Sequence, residues 1–262
     1  MNITVNNPFK EGTKYKVTYY LTAKDGYVFT AATACTINGT AATLELTDQY
    51  HVKVSLSDLV PSDGQTPTEC DGGANCPSRK FVDVDPAAWY HPYVDYAVTN
   101  GLFGGTSETT FSPNAAMTRA MLVTVLWRYE GQPKGYQNTF SDVNAQSGGW
   151  YIDAVAWAAS NGIVDGVGNN RFNPNGKITR EQMAVILFRY AQKKGLDTSK
   201  RGDLSNFPDA NKISAYAKEA LSWAVGEGII GGSDGKLLPL GNATRAQVAT
   251  ILMRYIENIV KK

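Results

Sequence analysis

Three times in this chain a Thr-Arg pair opens an amphipathic stretch that closes on Arg-Tyr: Thr118-Arg119 to Arg128-Tyr129, Thr179-Arg180 to Arg189-Tyr190 and Thr244-Arg245 to Arg254-Tyr255. A recurrence at a period of roughly sixty residues marks an internal repeat whose unit is one supersecondary block. Other landmarks keep the same order. Phe81-Val82-Asp83-Val84 returns as Phe140-Ser141-Asp142-Val143 and Phe207-Pro208-Asp209-Ala210. Trp89-Tyr90 returns as Trp150-Tyr151 and weakens to Ala215-Tyr216, while Asn100-Gly101 returns as Asn161-Gly162 and Glu227-Gly228. Phe111-Ser112-Pro113 returns as Phe172-Asn173-Pro174 and decays to Leu237-Leu238-Pro239.

Each repeat reads as a Phe-x-Asp loop, a first helix, a glycine stop, a Gly-rich turn and a second helix. In the middle repeat Ile152, Val155, Ala156 and Ala159 recur at helical spacing, and Gly162 stands where a left-handed cap belongs. The second helices each carry one apolar stripe: Leu122, Val125, Leu126, Tyr129; then Met183, Ile186, Leu187, Tyr190; then Val248, Ile251, Leu252, Tyr255. One helix pair cannot bury its own stripe, but three can bury one another. The expected fold is therefore mainly α, with three repeats (81–139, 140–206 and 207–262) closing into a pseudo-threefold helical domain.

A small β-rich segment, residues 1–57, precedes it. Lys16 to Leu21 alternates, Asp25-Gly26 and Asn38-Gly39 are hairpin signals, and Val52, Val54 and Leu56 keep period two. That supports about four strands, fewer than a sandwich uses, which suggests a truncated Ig-like module. Residues 58–80 are rich in Pro, Ser, Gly, Asp and Thr and read as a linker.

Composition excludes several functions. With 25 basic and 24 acidic side chains the net charge is +1, so no field draws a polyanion, and nucleic acid is not an expected partner. No apolar run approaches the roughly 20 residues that span a bilayer, so membrane insertion is not expected. The first residues lack the basic and apolar stretches of an export signal, which is read as a fragment of a longer protein.

Cys70 and Cys76 bracket a short polar loop and are a disulfide candidate, leaving Cys35 over. Two cysteines are too few for a metal, and His51 and His91 lack paired spacing, so no metal or cofactor is expected. Asp83-Val84-Asp85 and Asp165 to Asn169 do not develop an EF-hand ligand pattern. Nor is there a nucleophile elbow, a phosphate-binding loop or a repeated histidine, so the chain is not expected to be an enzyme.

The Thr-Arg pairs are the candidate site. Thr179 with Gln182 and Thr244 with Gln247 fit capping boxes, and Met121 leaves Thr118 with a simple cap. The following arginines, Arg119, Arg180 and Arg245, oppose the helix macrodipole by about 0.3–1 kcal/mol and so need a reason. Two readings stand level. Either they pair with Asp83, Asp142 and Asp209 or cover apolar surface, or the helix N-terminus and guanidinium fork together bind a carboxylate or phosphate. Trp89, Trp150 and Tyr216 are either packing residues or faces for a sugar ring. Gly105, Gly166 and Gly232 either turn the chain or bring backbone N–H groups near a ligand.

These motifs resemble the S-layer homology domain, whose pattern runs Phe-x-Asp-Val, Trp-Tyr, Gly-Ile/Leu-x-x-Gly, Phe-x-Pro, Ile-Thr-Arg-Ala-Glu and a helix ending in Arg. The likeness covers residues 81–257. It implies a three-pronged helical spindle that anchors an extracellular bacterial surface protein, non-covalently, to secondary cell-wall polysaccharide, often through pyruvylated amino sugars. It further implies that Arg119, Arg180 and Arg245 grip the acidic group, with Asp83, Asp142, Asp209, Trp89 and Trp150 as partners, in grooves between two neighbouring repeats of a monomer. The motif glutamate is Met121, Gln182 and Gln247 here, and the third repeat has Tyr216 for Trp. Alternatives are a protein-binding helical scaffold or the anchor fragment of a larger surface enzyme.

Overall fold

The computed structural model describes residues 15–23, 28, 30, 36–37, 40–41, 43–59, 70, 72–73 and 75–261. The chain divides into two compact units, Met1–Ser62 and Asp63–Lys262.

In the first unit the described strands are β1 (Tyr15–Thr22), β2 (Thr36–Ile37), β3 (Thr40–Ala41), β4 (Thr43–Leu46) and β5 (His51–Leu59). Strand β5 is central in an antiparallel sheet of order β1-β5-β4, and β2 pairs with β3. Val54 stands opposite Tyr19 on one side and Leu44 on the other, and it is buried together with Val52, as period-two alternation requires. Asp25-Gly26, Asn38-Gly39 and Cys35 lie outside the described residues.

The second unit is helical. Each repeat supplies two helices: α1 (His91–Thr99) and α2 (Arg119–Tyr129), α3 (Ile152–Ser160) and α4 (Arg180–Lys193), α5 (Lys218–Gly226) and α6 (Arg245–Tyr255). The pairing is cyclic. Helix α2 packs on α3, α4 on α5, and α6 returns to α1, so every second helix leans on the first helix of the next repeat. The stripes predicted on α2, α4 and α6 meet in one core containing Leu122, Leu126, Met183, Leu187, Val248 and Leu252. Tyr129 is the exception, 38% exposed. Helix α2 ends on it, whereas α6 runs on into a π-helical turn, Ile256–Val260, and Tyr255 packs against the rings of Tyr190 and Trp223.

The first helices stop as their glycines demand. Gly101, Gly162 and Gly228 have φ of 62°, 69° and 70°, a left-handed backbone that strains residues with a Cβ. Beyond Gly162, the Ile163 N–H reaches back to the Ala158 carbonyl at 2.9 Å, and the Gly162 N–H bonds Ala159 at 3.0 Å. Those two bonds close a Schellman motif.

A triangle of backbone bonds joins the three repeats. The Met117 N–H donates to the Ala243 carbonyl, Ala243 to Ile178 and Ile178 to Met117, each at 2.9 Å. The same cyclic order supplies the helix N-termini. Arg119 and Ala120 N–H groups bond the Gly176 and Pro174 carbonyls, Arg180 and Glu181 bond Gly241 and Pro239, and Arg245 and Ala246 bond Ala115 and Pro113. The third amide of each helix meets its threonine cap: Met121 to Thr118 at 3.2 Å, Gln182 to Thr179 and Gln247 to Thr244 at 3.3 Å. Gln182 and Gln247 return the bond to the cap backbone. Three of the four amides that a helix start leaves unpaired in α2, and all four in α4 and α6, are thus consumed inside the fold.

Candidate functional site

The motif arginines are buried, with Arg119, Arg180 and Arg245 at 7%, 4% and 5% exposure. Their forks turn away from their own helices toward the loop of the next repeat. Arg119 donates from Nε to the Phe172 carbonyl and from Nη2 to the Asp165 main-chain carbonyl, both at 2.9 Å. Arg180 Nε donates to Leu237 at 2.7 Å, and Arg245 donates to Phe111 at 2.7 Å and to the Gly104 carbonyl. Guanidinium also covers ring faces: Arg119 lies 4.6 Å over Phe172, and Arg245 4.7 Å over Phe111. The dipole penalty is offset by charge-assisted bonds in a low-dielectric seam.

The aspartates hold the same loops from the other side. Asp83 accepts from the Phe111 and Ser112 N–H groups at 2.7 Å. Asp142 accepts from Phe172 and Asn173 at 2.8 and 2.9 Å, and Asp209 from Leu237 and Leu238 at 2.9 and 2.8 Å. Each clasp fixes a left-handed residue, with φ of 57° at Ser112, 59° at Asn173 and 51° at Leu238. Burial raises the Asp142 and Asp209 carboxyl pKa values, but the paired N–H donors outweigh it and hold both below the usual range. One peptide per repeat is therefore gripped twice, by its own aspartate at N–H and by the preceding repeat's arginine at C=O.

The glycines serve close packing. A Cβ on Gly105 would lie 2.4 Å from the Phe81 ring, one on Gly166 2.9 Å from Phe140, and one on Gly232 3.1 Å from Phe207. The Phe-x-Asp phenylalanine and the turn glycine recur together because they fit together.

A crevice of about 300 Å³ lies open over α4. Arg119 reaches it from the first repeat; Asp165, Gly166, Gln182 and Arg189 come from the second and Tyr216 from the third. An adjoining pocket of about 250 Å³ shares Arg189 and Tyr216 and runs toward Glu219. The crevice therefore draws on three repeats rather than the two that the resemblance implied, because the arginine belongs to the repeat before the seam. In the same cyclic order Arg180 reaches the third repeat at Leu237, and Arg245 reaches the first at Phe111 and Gly104. Trp89, Trp150 and Tyr216 are 49%, 52% and 59% exposed, and Tyr216 presents its ring at the crevice.

Two residues at or beside this crevice lie outside the candidate set drawn from the repeated motif. Arg189, the arginine of the Arg-Tyr landmark, lines the crevice with Nη1 2.6 Å from the Asp165 carboxylate. Glu181, 2% exposed, replaces the alanines found at 120 and 246, and that asymmetry was its signal. Its carboxylate accepts from the Ser214 N–H at 3.0 Å, the Ser214 hydroxyl at 2.7 Å and the Tyr216 hydroxyl at 3.0 Å. Tyrosine in place of tryptophan thus gives Glu181 a partner. Burial, then the Glu181 bond, push the Tyr216 phenol up to about 12.

The disulfide candidate is not formed. Cys70 and Cys76 are free, and the Cys76 sulfur faces the His91 Nε2 at 3.2 Å and the Ser78 hydroxyl at 3.4 Å instead.

Comparison with known proteins finds the same three repeats. The S-layer homology domain pattern matches residues 80–120, 139–184 and 206–249. The surface-layer 125 kDa protein of Lysinibacillus sphaericus is 36% identical over 171 residues, 63% of this chain and 14% of that protein. An endoglucanase of Bacillus sp. (strain KSM-635) is 34% identical over 176 residues, 66% of this chain and 18% of the enzyme. The S-layer protein sap of Bacillus anthracis is 29% identical over 179 residues, 67% of this chain and 21% of that protein. The chain thus spans about a seventh to a fifth of these relatives. Three matched segments, joined by one repeated set of Arg, Asp and Phe contacts, place the chain in the S-layer homology domain family.

Proposed function

We propose that the helical unit is a non-catalytic anchor that holds a protein at the bacterial cell surface by binding secondary cell-wall polysaccharide. The ligand group is an acidic substituent, of the pyruvyl ketal kind, taken into the crevice over α4. The observation that carries this is the pairing of two guanidinium groups, Arg119 buried at the floor and Arg189 at the mouth, beside the exposed Tyr216 ring. Arg119 uses Nε and Nη2 on the fold, and Nη1 takes part in neither bond. Arg189 is paired with Asp165, itself 71% exposed at the side chain. An exposed pair of this sort contributes about 0–1 kcal/mol, so an incoming carboxylate displaces it at little cost. Three seams on one unit raise the effective concentration of the polymer, and modest affinity at each gives firm attachment.

Co-sedimentation with purified cell walls tests the reading. Arg189→Gln is expected to weaken binding at least several-fold with unfolding behaviour unchanged, and walls stripped of pyruvyl groups should bind the wild type as weakly. Equal binding by variant and wild type rejects the crevice. Undiminished binding to walls stripped of all polymer points to a protein-binding scaffold instead.

A further inference from the structure

Four metal-ligating side chains converge at the start of α1, away from the crevice. The sulfurs of Cys70 and Cys76, a ring nitrogen of His91 and a carboxylate oxygen of Asp95 all lie within 4.8 Å of one another. His91 and Asp95 stand four residues apart, on one face of α1. The turns before the first repeat bring the cysteines over them. Cys76, His91 and Asp95 are buried, at 8%, 1% and 6% exposure. The Cys76 sulfur is 3.2 Å from His91 Nε2 and 3.5 Å from Asp95 Oδ1, and His91 Nε2 is 3.5 Å from Asp95 Oδ2.

Polar groups this deeply buried need compensation. Nothing in the wall-binding crevice calls on them. The donor set narrows what would occupy their midpoint. Two sulfurs, one imidazole and one carboxylate make four ligands, the number and kind that a structural zinc takes, whereas calcium and magnesium take oxygen shells. Tetrahedral coordination spaces sulfurs by about 3.8 Å, so ligands within 4.8 Å of each other need only draw in slightly. An outer contact is already in place: the Ser78 N–H donates to Asp95 Oδ1 at 3.0 Å and fixes that carboxylate's rotation.

We propose that Cys70, Cys76, His91 and Asp95 form a structural site for a zinc-class divalent cation that staples the segment preceding the first repeat to α1. Counting cysteines alone undervalued it, because His91 and Asp95 supply the other half of the set. The bound ion displaces thiol protons, so its affinity falls as pH is lowered. Its role is to order residues leading into the repeats, and no chemistry on substrate is assigned to it.

The test uses the whole chain, reduced, metal-stripped and kept anaerobic, with Co²⁺ as the probe. One Co²⁺ per chain is expected, with thiolate-to-cobalt charge-transfer absorption, tetrahedral d–d bands and displacement by Zn²⁺. Cys70→Ser and Cys76→Ser should each diminish the charge-transfer band, and His91→Ala should weaken binding by more than the roughly 10–100-fold that outer-shell changes cost. Cys35→Ser should leave the spectrum as it was. Because Cys76 is buried, Cys70→Ser, at a partly exposed position, decides the matter if Cys76→Ser unfolds. Sub-stoichiometric uptake by the reduced chain, or cobalt spectra without thiolate bands, would overturn the proposal. Wall binding by the metal-free chain is a separate readout, so either idea can fail alone.

Discussion

Arg245 and Phe111, 134 residues apart, meet twice: Nε bonds the phenylalanine carbonyl at 2.7 Å, and the guanidinium carbon sits 4.7 Å from the ring centroid. This contact ties the last repeat to the first. Replacing Arg245 with Lys keeps the charge but not the planar fork, so the Phe111 and Gly104 carbonyls can no longer share one rigid donor. We expect a loss of about 2–4 kcal/mol in urea unfolding followed by tryptophan fluorescence. A variant within 0.5 kcal/mol of wild type would show that the fork is dispensable.

The aspartate clasps make the fold acid-sensitive. The folded pKa values of Asp142 and Asp209 lie below their ordinary value. The native state thus binds fewer protons than the unfolded chain in the acid range, and the clasps' contribution is whole above about pH 4 and lost as pH falls through the folded values. The urea midpoint should stay level from about pH 7 to 5 and decline below about 4. In Asp142→Asn the unfolding free energy should start about 1–3 kcal/mol lower and decline less. Parallel curves for the two proteins would contradict the assignment.

Leu238 occupies a left-handed backbone at φ 51° where the second repeat has Asn173. An ordinary side chain there costs about 1–2 kcal/mol, and asparagine tolerates the region better. Leu238 is 41% exposed, so little apolar burial is forfeited. Leu238→Asn should stabilise the protein by about 0.5–1 kcal/mol, read as a higher melting temperature. A lower one would mean that the leucine's packing outweighs its strain.

Tyr216→Phe separates the two roles of that ring. Buried Glu181 loses one of three donors, and stability should drop by about 1 kcal/mol. The aromatic face persists, so wall binding should remain within about twofold, a change too small to register as a lost contact energy. Binding lost without any change in stability would make the hydroxyl a ligand contact.

The helical plan was legible because caps, stripes and glycine stops act over a few residues: Thr179 with Gln182, the Met183 stripe and Gly162 all announce themselves locally. The arginines' fate was not. Their acceptors are main-chain carbonyls of Phe111, Phe172 and Leu237, which carry no side-chain signature, and they lie 134, 53 and 57 residues away. The Cys70, Cys76, His91 and Asp95 cluster was hidden for a related reason. Only the path of the chain before α1 turns isolated residues into a set, and only the cyclic offset brings Arg119 to a crevice built on α4.

The bond triangle of Met117, Ile178 and Ala243 has a topological consequence. Stacked solenoids grow or shrink by one module and need special end pieces. Here each copy closes on its neighbour and the third returns to the first, so deleting one would bare two mismatched faces and adding a fourth would have to pry the circuit open. Such a unit enlarges only by whole trios.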